Sequence, residues 1–275
     1  MRHEAVAGSF YQSSKADLER FINDALGKAA IDRPISKKAV SFVAPHAGYT
    51  YSGFVAAHTY AALSLSVKAR SIDTFVVIGP NHTGYGTPIS ISAEDWRTPL
   101  GIVKNDRELS GTIASLSDYM SIDEEAHAAE HSIEVQLPFL QSVISNPKCA
   151  FICMGDQSMA ASKLLADAIM ESSQRLGRAV AIIASSDFNH YESEAMARKK
   201  DMPSIDALKS IDYGLFNRRL REAGDSACGY GPITVAAIFA KRNGASEGRL
   251  LKYATSGDVT GDNTSVVAYA SIIFA

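Results

Sequence analysis

AVAIIASSDFNHY, residues 179–191, reads as a buried strand that runs straight into polar chemistry. Residues 179–184 are all apolar, with no alternation between faces. Such a run suits a strand covered on both sides. Ser185, Ser186 and Asp187 follow at once, and His190 three residues later. Four other stretches share this pattern: AVSFVAP (39–45), DTFVVIGP (73–80), CAFICMG (149–155) and SVVAYASIIFA (265–275). Amphipathic helical patterns lie between them, over about 53–66, 105–117, 127–145, 158–176, 213–223 and 232–242. An earlier helix begins near Ser13 or Ser14, carries Leu18, Phe21, Ile22 and Ala25, and stops at Gly27. Alternating strands and helices predict an α/β layered sandwich, with a central, largely parallel or mixed sheet covered by helices. Pro and Gly punctuate strand ends rather than a linker, so residues 1–275 read as a single domain.

Composition narrows the function. The chain has 27 Lys plus Arg against 30 Asp plus Glu, a net charge of −3. That balance lacks the basic footprint of a nucleic-acid binder, so DNA and RNA are not expected as partners. Three cysteines make no disulfide framework and point to a reducing compartment. The start, MRHEAVAGSFYQSS, carries no apolar run of signal-peptide length, and no stretch has the length of a membrane span. The expectation is a cytoplasmic protein with no membrane partner.

In open α/β sheets, ligands sit beyond the carboxyl ends of the strands. Three histidines follow three predicted strands there. His46 stands in APHAGYTYSG (44–53), His82 in IGPNHTGYG (78–86), and His190 in IIASSDFNHYES (182–193). A neutral imidazole on a rigid, glycine-flanked loop suits a metal ligand. Asp187 is placed either to orient an imidazole or to cap a helix. The glycines around His82 match neither phosphate-binding fingerprint, so no nucleotide or other organic cofactor is expected. In EEAHAAEHSIEVQLPFL (124–140), His127, Glu130, His131 and Glu134 share the spacing of one helical face. His-Ala-Ala-Glu-His also fits the inverted zinc-peptidase pattern, with His127 and His131 on zinc and Glu130 activating water. The competing reading is a helix face lining a polar cleft. Cys228, in SACGYGPITVAAIFA (226–240), precedes a helix whose first turn holds Pro232, a place that favours thiolate. Cys149 and Cys153 lie inside a strand pattern and read as buried small hydrophobes. Trp96 either packs or lines a pocket.

Taken in order along the chain, AGSFYQSS, APHAGYTYSG, IGPNHTG, EHSIEVQLPFL, SSDFNHY, CGYGPI and TSGDVTGDNTSVVAYAS resemble the Memo family (mediator of ErbB-driven cell motility), also called AmmeMemoRadiSam system protein B. The resemblance implies a fold related to the class III extradiol ring-cleaving dioxygenases, which hold non-haem Fe(II) with two histidines and a carboxylate. It implies His46 and His82 as the two histidine ligands and His190 as the acid/base. Cys228 falls where that carboxylate is expected. A thiolate there softens the site and lets copper or zinc compete with iron.

Three functions follow. The first is a metal-dependent redox or dioxygenase-like enzyme, with Fe(II) at His46, His82 and Cys228. His190 and Asp187 would then handle protons, and His131 would act as a second base or substrate ligand. The second is a binding protein that uses the same cleft for a metal or a peptide. The third is a metal-dependent hydrolase. The partner is a small-molecule substrate or a peptide.

Overall fold

The sequence VAIIAS at 180–185 buries both its faces. Ile182 and Ala184 join one apolar cluster, and Ala181 and Ile183 join another on the opposite side. The same division separates Val76 and Ile78 from Phe75 and Val77, and Ile152 from Cys149 and Cys153. Each large apolar side chain removed from water in this way contributes about 1.5–3 kcal/mol. The computed structural model describes residues 1–31 and 39–275. Its strands are β1 (Ser41–Ala44), β2 (Thr74–Pro80), β3 (Ile89–Ser92), β4 (Trp96–Thr98), β5 (Gly101–Asn105), β6 (Met120–Ile122), β7 (Lys148–Met154), β8 (Val180–Ser185), β9 (His190–Glu192), β10 (Gly248–Thr255) and β11 (Val266–Phe274). Its helices are α1 (Lys15–Lys28), α2 (Tyr49–Ala69), α3 (Arg107–Ala114), α4 (Glu125–Ala128), α5 (Leu137–Val143), α6 (Met159–Leu176), α7 (Glu194–Lys209), α8 (Tyr213–Ala223), α9 (Tyr230–Arg242) and α10 (Gly257–Thr260).

The strands form one mixed sheet in the order β10-β11-β1-β8-β2-β7-β3-β6. β1, β8, β2 and β7 run parallel, so their carboxyl ends lie side by side. β11 and β10 are antiparallel to their neighbours, and β3 is antiparallel to β7 but parallel to β6. Side chains of α1, α2 and α5 cover one face, and those of α3, α6, α7, α8 and α9 the other. This is the α/β sandwich the alternating pattern predicts. Among the described residues, no helix is long and apolar enough to cross a membrane.

Three parts of the fold differ from the sequence expectation, one of them the eight-residue strand β10, which lies outside the predicted strands. The stretch 127–145 is not one helix. α4 ends at Ala128, a 3-10 turn spans Glu134–Gln136, and α5 begins at Leu137. Arg2 accounts for the break: its Nε donates to the His127 carbonyl at 2.8 Å and its Nη2 to the Glu130 carbonyl at 2.8 Å. Those carbonyls are therefore satisfied outside any helical ladder. The third difference is α7, where Pro203 lies inside the helix and withholds one N–H. Ser193 still caps its start by accepting from Met196 N–H. The short strands β3 to β6 and β9, of three to five residues each, carry too little pattern to be read in advance.

A candidate metal centre at the ends of the parallel strands

Adjacent strand ends bring the predicted histidines together. His46 follows β1 by two residues and His82 follows β2 by two, and both strands flank β8. The imidazole rings of His46 and His82 lie 5.1 Å apart. A third ring, His131, lies 5.4 Å from His46 and 4.6 Å from His82. One ring nitrogen from each of the three lies within 4.8 Å of the others.

Hydrogen bonds fix which nitrogen His46 and His82 present. His82 Nδ1 lies 2.9 Å from Glu130 Oε1, and His131 Nδ1 lies 3.5 Å from the same oxygen. A carboxylate only accepts, so the hydrogen-bonded His82 carries its proton on Nδ1 and keeps a lone pair on Nε2, while His131 lies near the same oxygen without a hydrogen bond to it. His46 Nδ1 meets Ser185 Oγ at 2.8 Å. The Ser185 hydroxyl donates to the Ser132 carbonyl and accepts from Gln136 Nε2. Its proton is therefore spent, and His46 Nδ1 is the donor. His46 and His82 thus present Nε2 lone pairs, the form a metal requires, and His131 adds a ring nitrogen beside them. Burial pulls the His46 imidazole well below its usual range, reinforced by His131 and His82, and burial also lowers His131. Both stay neutral. The donor set fits a transition-metal ion.

Glu130 is fully buried, yet it is held far below the usual carboxylate range. Burial alone would raise it, but His82 and the N–H groups of Ser132 and His82 outweigh that. Gly79 makes this packing possible, because a Cβ there would collide with the Ser132 hydroxyl. Glu130 belongs to the peptidase spacing, but in the structure its carboxylate orients the His82 imidazole instead. His127 does not reach the centre. It is buried against Trp96, with ring centroids 5.5 Å apart, so the His-Ala-Ala-Glu-His zinc pattern does not assemble. Trp96 itself packs on Phe151 and under the Arg2 guanidinium.

Cys228 meets the centre at His46, where Sγ lies 3.1 Å from Nε2. Burial, with the Asp187 charge behind it, pushes this thiol well above its usual range. The protonated thiol therefore donates to the free His46 lone pair. Gly229 lets the chain come this close, since a side chain there would strike the Ser185 carbonyl. Asp187 accepts the His46 backbone N–H at 2.8 Å; burial pushes its carboxyl up to about 7. His190 sits beside this group on β9. Its Nδ1 lies 3.1 Å from the Ser226 carbonyl, and its N–H donates to Ser226 Oγ. Its orientation is set by Ser226, while Asp187 engages His46. Cys149 and Cys153 are fully buried in β7. Arg2, Ser185, Gln136 and Ser226 were not legible as site residues, and Glu130 was read as activating water rather than holding a histidine. All of these but Arg2 lie in stretches that the motifs singled out.

A family profile described as Memo-like protein matches residues 2–273. A protein of Methanosarcina mazei described as a MEMO1 family protein is 46% identical over 279 residues, covering 99% of this chain and 98% of its own. Similar proteins with that description occur in Sulfolobus acidocaldarius, 42% identical over 100% of this chain and 99% of its own, and in Methanopyrus kandleri, 41% identical over 99% and 98%.

Proposed function

The chain belongs to the Memo-like protein family, and from that premise we propose that it is a non-haem iron-dependent redox enzyme of dioxygenase type. The observation that carries this reading is the cluster of three imidazoles whose ring nitrogens lie within 4.8 Å of one another, with His46 and His82 each fixed by a hydrogen bond at Nδ1. His46, His82 and His131 would hold the ion, and Cys228 would join them as a thiolate once its proton is displaced. A bound ferrous ion supplies Lewis acidity and one-electron chemistry at this point. Four protein donors would close a tetrahedral zinc site, whereas iron accepts further donors and so keeps room for substrate.

The chain's own residues do the rest. Glu130 anchors the His82 ring by a hydrogen bond and places its charge 3.5 Å from His131 Nδ1. Ser185 and Gln136 lock the third. His190, held through Nδ1 by the Ser226 carbonyl, offers Nε2 to move a proton at the edge of the cleft. A metal-dependent hydrolase is the second reading. It is favoured because the mutually adjacent donors are three imidazoles, as in catalytic zinc centres.

The deciding experiment is anaerobic purification, loading with Fe(II) or Zn(II), and measurement of metal stoichiometry and O₂ consumption. One ion per chain, with O₂ consumed only by the iron form, supports the redox reading. A chain that binds neither metal overturns both readings. Zinc-dependent ester hydrolysis without iron activity favours the second.

A further inference from the structure

Cys228 also lines a surface cleft of about 480 Å³ that none of the site histidines lines. That volume lies within the range of small-molecule sites. One wall is a face of α8. Asn217, Leu220, Arg221 and Gly224 follow at i, i+3, i+4 and i+7 and all line the cleft. The opposite wall includes Met159 and Tyr230, and the floor is the segment from Asp225 to Cys228.

This floor is shared with the metal centre. Cys228 reaches His46 with its thiol, and Ser226 holds His190 through its carbonyl and its hydroxyl. Gln157 keeps the floor in place: its Nε2 donates to the Cys228 carbonyl at 2.8 Å, and its Oε1 accepts Gly231 N–H at 2.9 Å.

The charge pattern of the cleft is one-sided. Of its lining residues only Arg221 and Asp225 are formally charged. Asp225 is turned inward. Its Oδ1 accepts Ala227 N–H at 3.2 Å and its Oδ2 is buried. Burial, in a setting it shares with Asp201, raises its carboxyl. The guanidinium of Arg221 has no ion-pair or hydrogen-bond partner among the described residues. An unpaired cation beside Leu220, Met159 and Tyr230 is the recognition pattern for a carboxylate on an apolar body.

We propose that this cleft binds a small organic carboxylate, with Arg221 clamping the anion and the apolar body lying against Tyr230 and the Cys228 floor. Its service to the metal centre rests on the reading above; the binding itself does not.

Titration of ¹⁵N-labelled protein with benzoate, hexanoate and benzamide tests this. Both carboxylates are expected to shift the backbone amides of residues 217–228, and neutral benzamide to do so far less. Arg221→Met should weaken benzoate by about 10–100-fold, the weight of a charge-assisted pair, while Arg218→Met on the exposed side of α8 should not. No shift at these amides, equal response to benzamide, or full affinity in Arg221→Met overturns the proposal. The same titration on His82→Ala separates the two readings. Retained benzoate binding there, with metal lost, upholds the cleft whatever the metal does. Loading the native chain with Co²⁺ then reports proximity. Broadened benzoate signals put the ligand beside the centre, and sharp ones overturn that link.

Discussion

A proton on Nδ1 is what turns His46 and His82 into donors at the centre, and the one carboxylate there, Glu130, bonds His82 and faces His131 Nδ1 at 3.5 Å. Glu130→Gln keeps the shape but swaps the carboxylate for an amide that can turn its NH₂ toward the rings. Outer-shell partners of this kind are worth about 10–100-fold in metal affinity, so Glu130→Gln is expected to weaken Zn(II) by that factor in competition with a chromophoric chelator. Unchanged affinity would show that the rings are oriented by packing alone. The same measurement separates the donors. His131→Ala should lose at least as much as Glu130→Gln, and Cys228→Ser should also weaken binding. Cys149→Ser and Cys153→Ser should bind as the parent does, because both thiols are fully buried within β7. A His131→Ala protein with full affinity would leave the ion to His46, His82 and Cys228, the set the family resemblance implies.

Between α4 and α5 the backbone gives up a helix to deliver His131, and Arg2 makes that possible. Beyond the two carbonyls, its Nη1 meets Glu134 Oε2 at 2.6 Å. Glu134 in turn accepts Ala5 N–H, Val6 N–H and Tyr11 O–H. The amino-terminal segment and the 129–136 connection are thus one buried polar unit. Removing one partner of such a pair leaves the other charge buried and uncompensated, at a cost of about 3–5 kcal/mol. Arg2→Met is therefore expected to lower the melting temperature markedly and to weaken metal binding as well. If affinity in folded Arg2→Met equals that of the parent, the connection holds its shape without the guanidinium. Gly229 is the other element-level device, since it sets α9 against the end of β8. Gly229→Ala should displace Cys228 from His46 and reduce stability, which thermal melts and thiol reactivity would register together.

On the scale of the whole molecule, stability carries a pH signature from Asp201 and Asp225. Asp201 is fully buried, and burial together with the facing Asp225 charge pushes it up to about 8. Tyr253 donates to one of its oxygens at 2.5 Å. The unfolded chain releases a carboxyl proton near pH 4, whereas the folded chain keeps this one. Its stabilising contribution is therefore complete below about pH 4 and is lost as pH rises through about 8. The slope is at most about 1.4 kcal/mol per pH unit for one proton. Denaturant melts of the parent should thus show stability falling between pH 5 and pH 8, with a shallower fall in Asp225→Asn. An identical slope in both proteins would assign the dependence to other groups.

Strands β1, β2, β7, β8 and β11, their alternation with helices, and the position of His46, His82 and Asp187 at strand ends were legible in the sequence. Two-sided burial writes itself as unbroken apolar runs, and a parallel strand must end where its polar loop begins. The family membership was legible too, from motifs spread along the chain. What the sequence could not supply was that His131, read as a second base or substrate ligand, joins His46 and His82 as a potential metal ligand while His127 stays away. Helical spacing ranks His127 and His131 alike, and only a contact across 125 residues, from Arg2 to the His127 carbonyl, breaks the helix and sends the two rings apart. The pairing of Glu130 with His82, of Ser185 with His46, and the cleft at Cys228 are of the same kind. Each depends on groups distant in the chain meeting across strand ends, and local pattern encodes the faces of elements but not which side chains of two elements will touch.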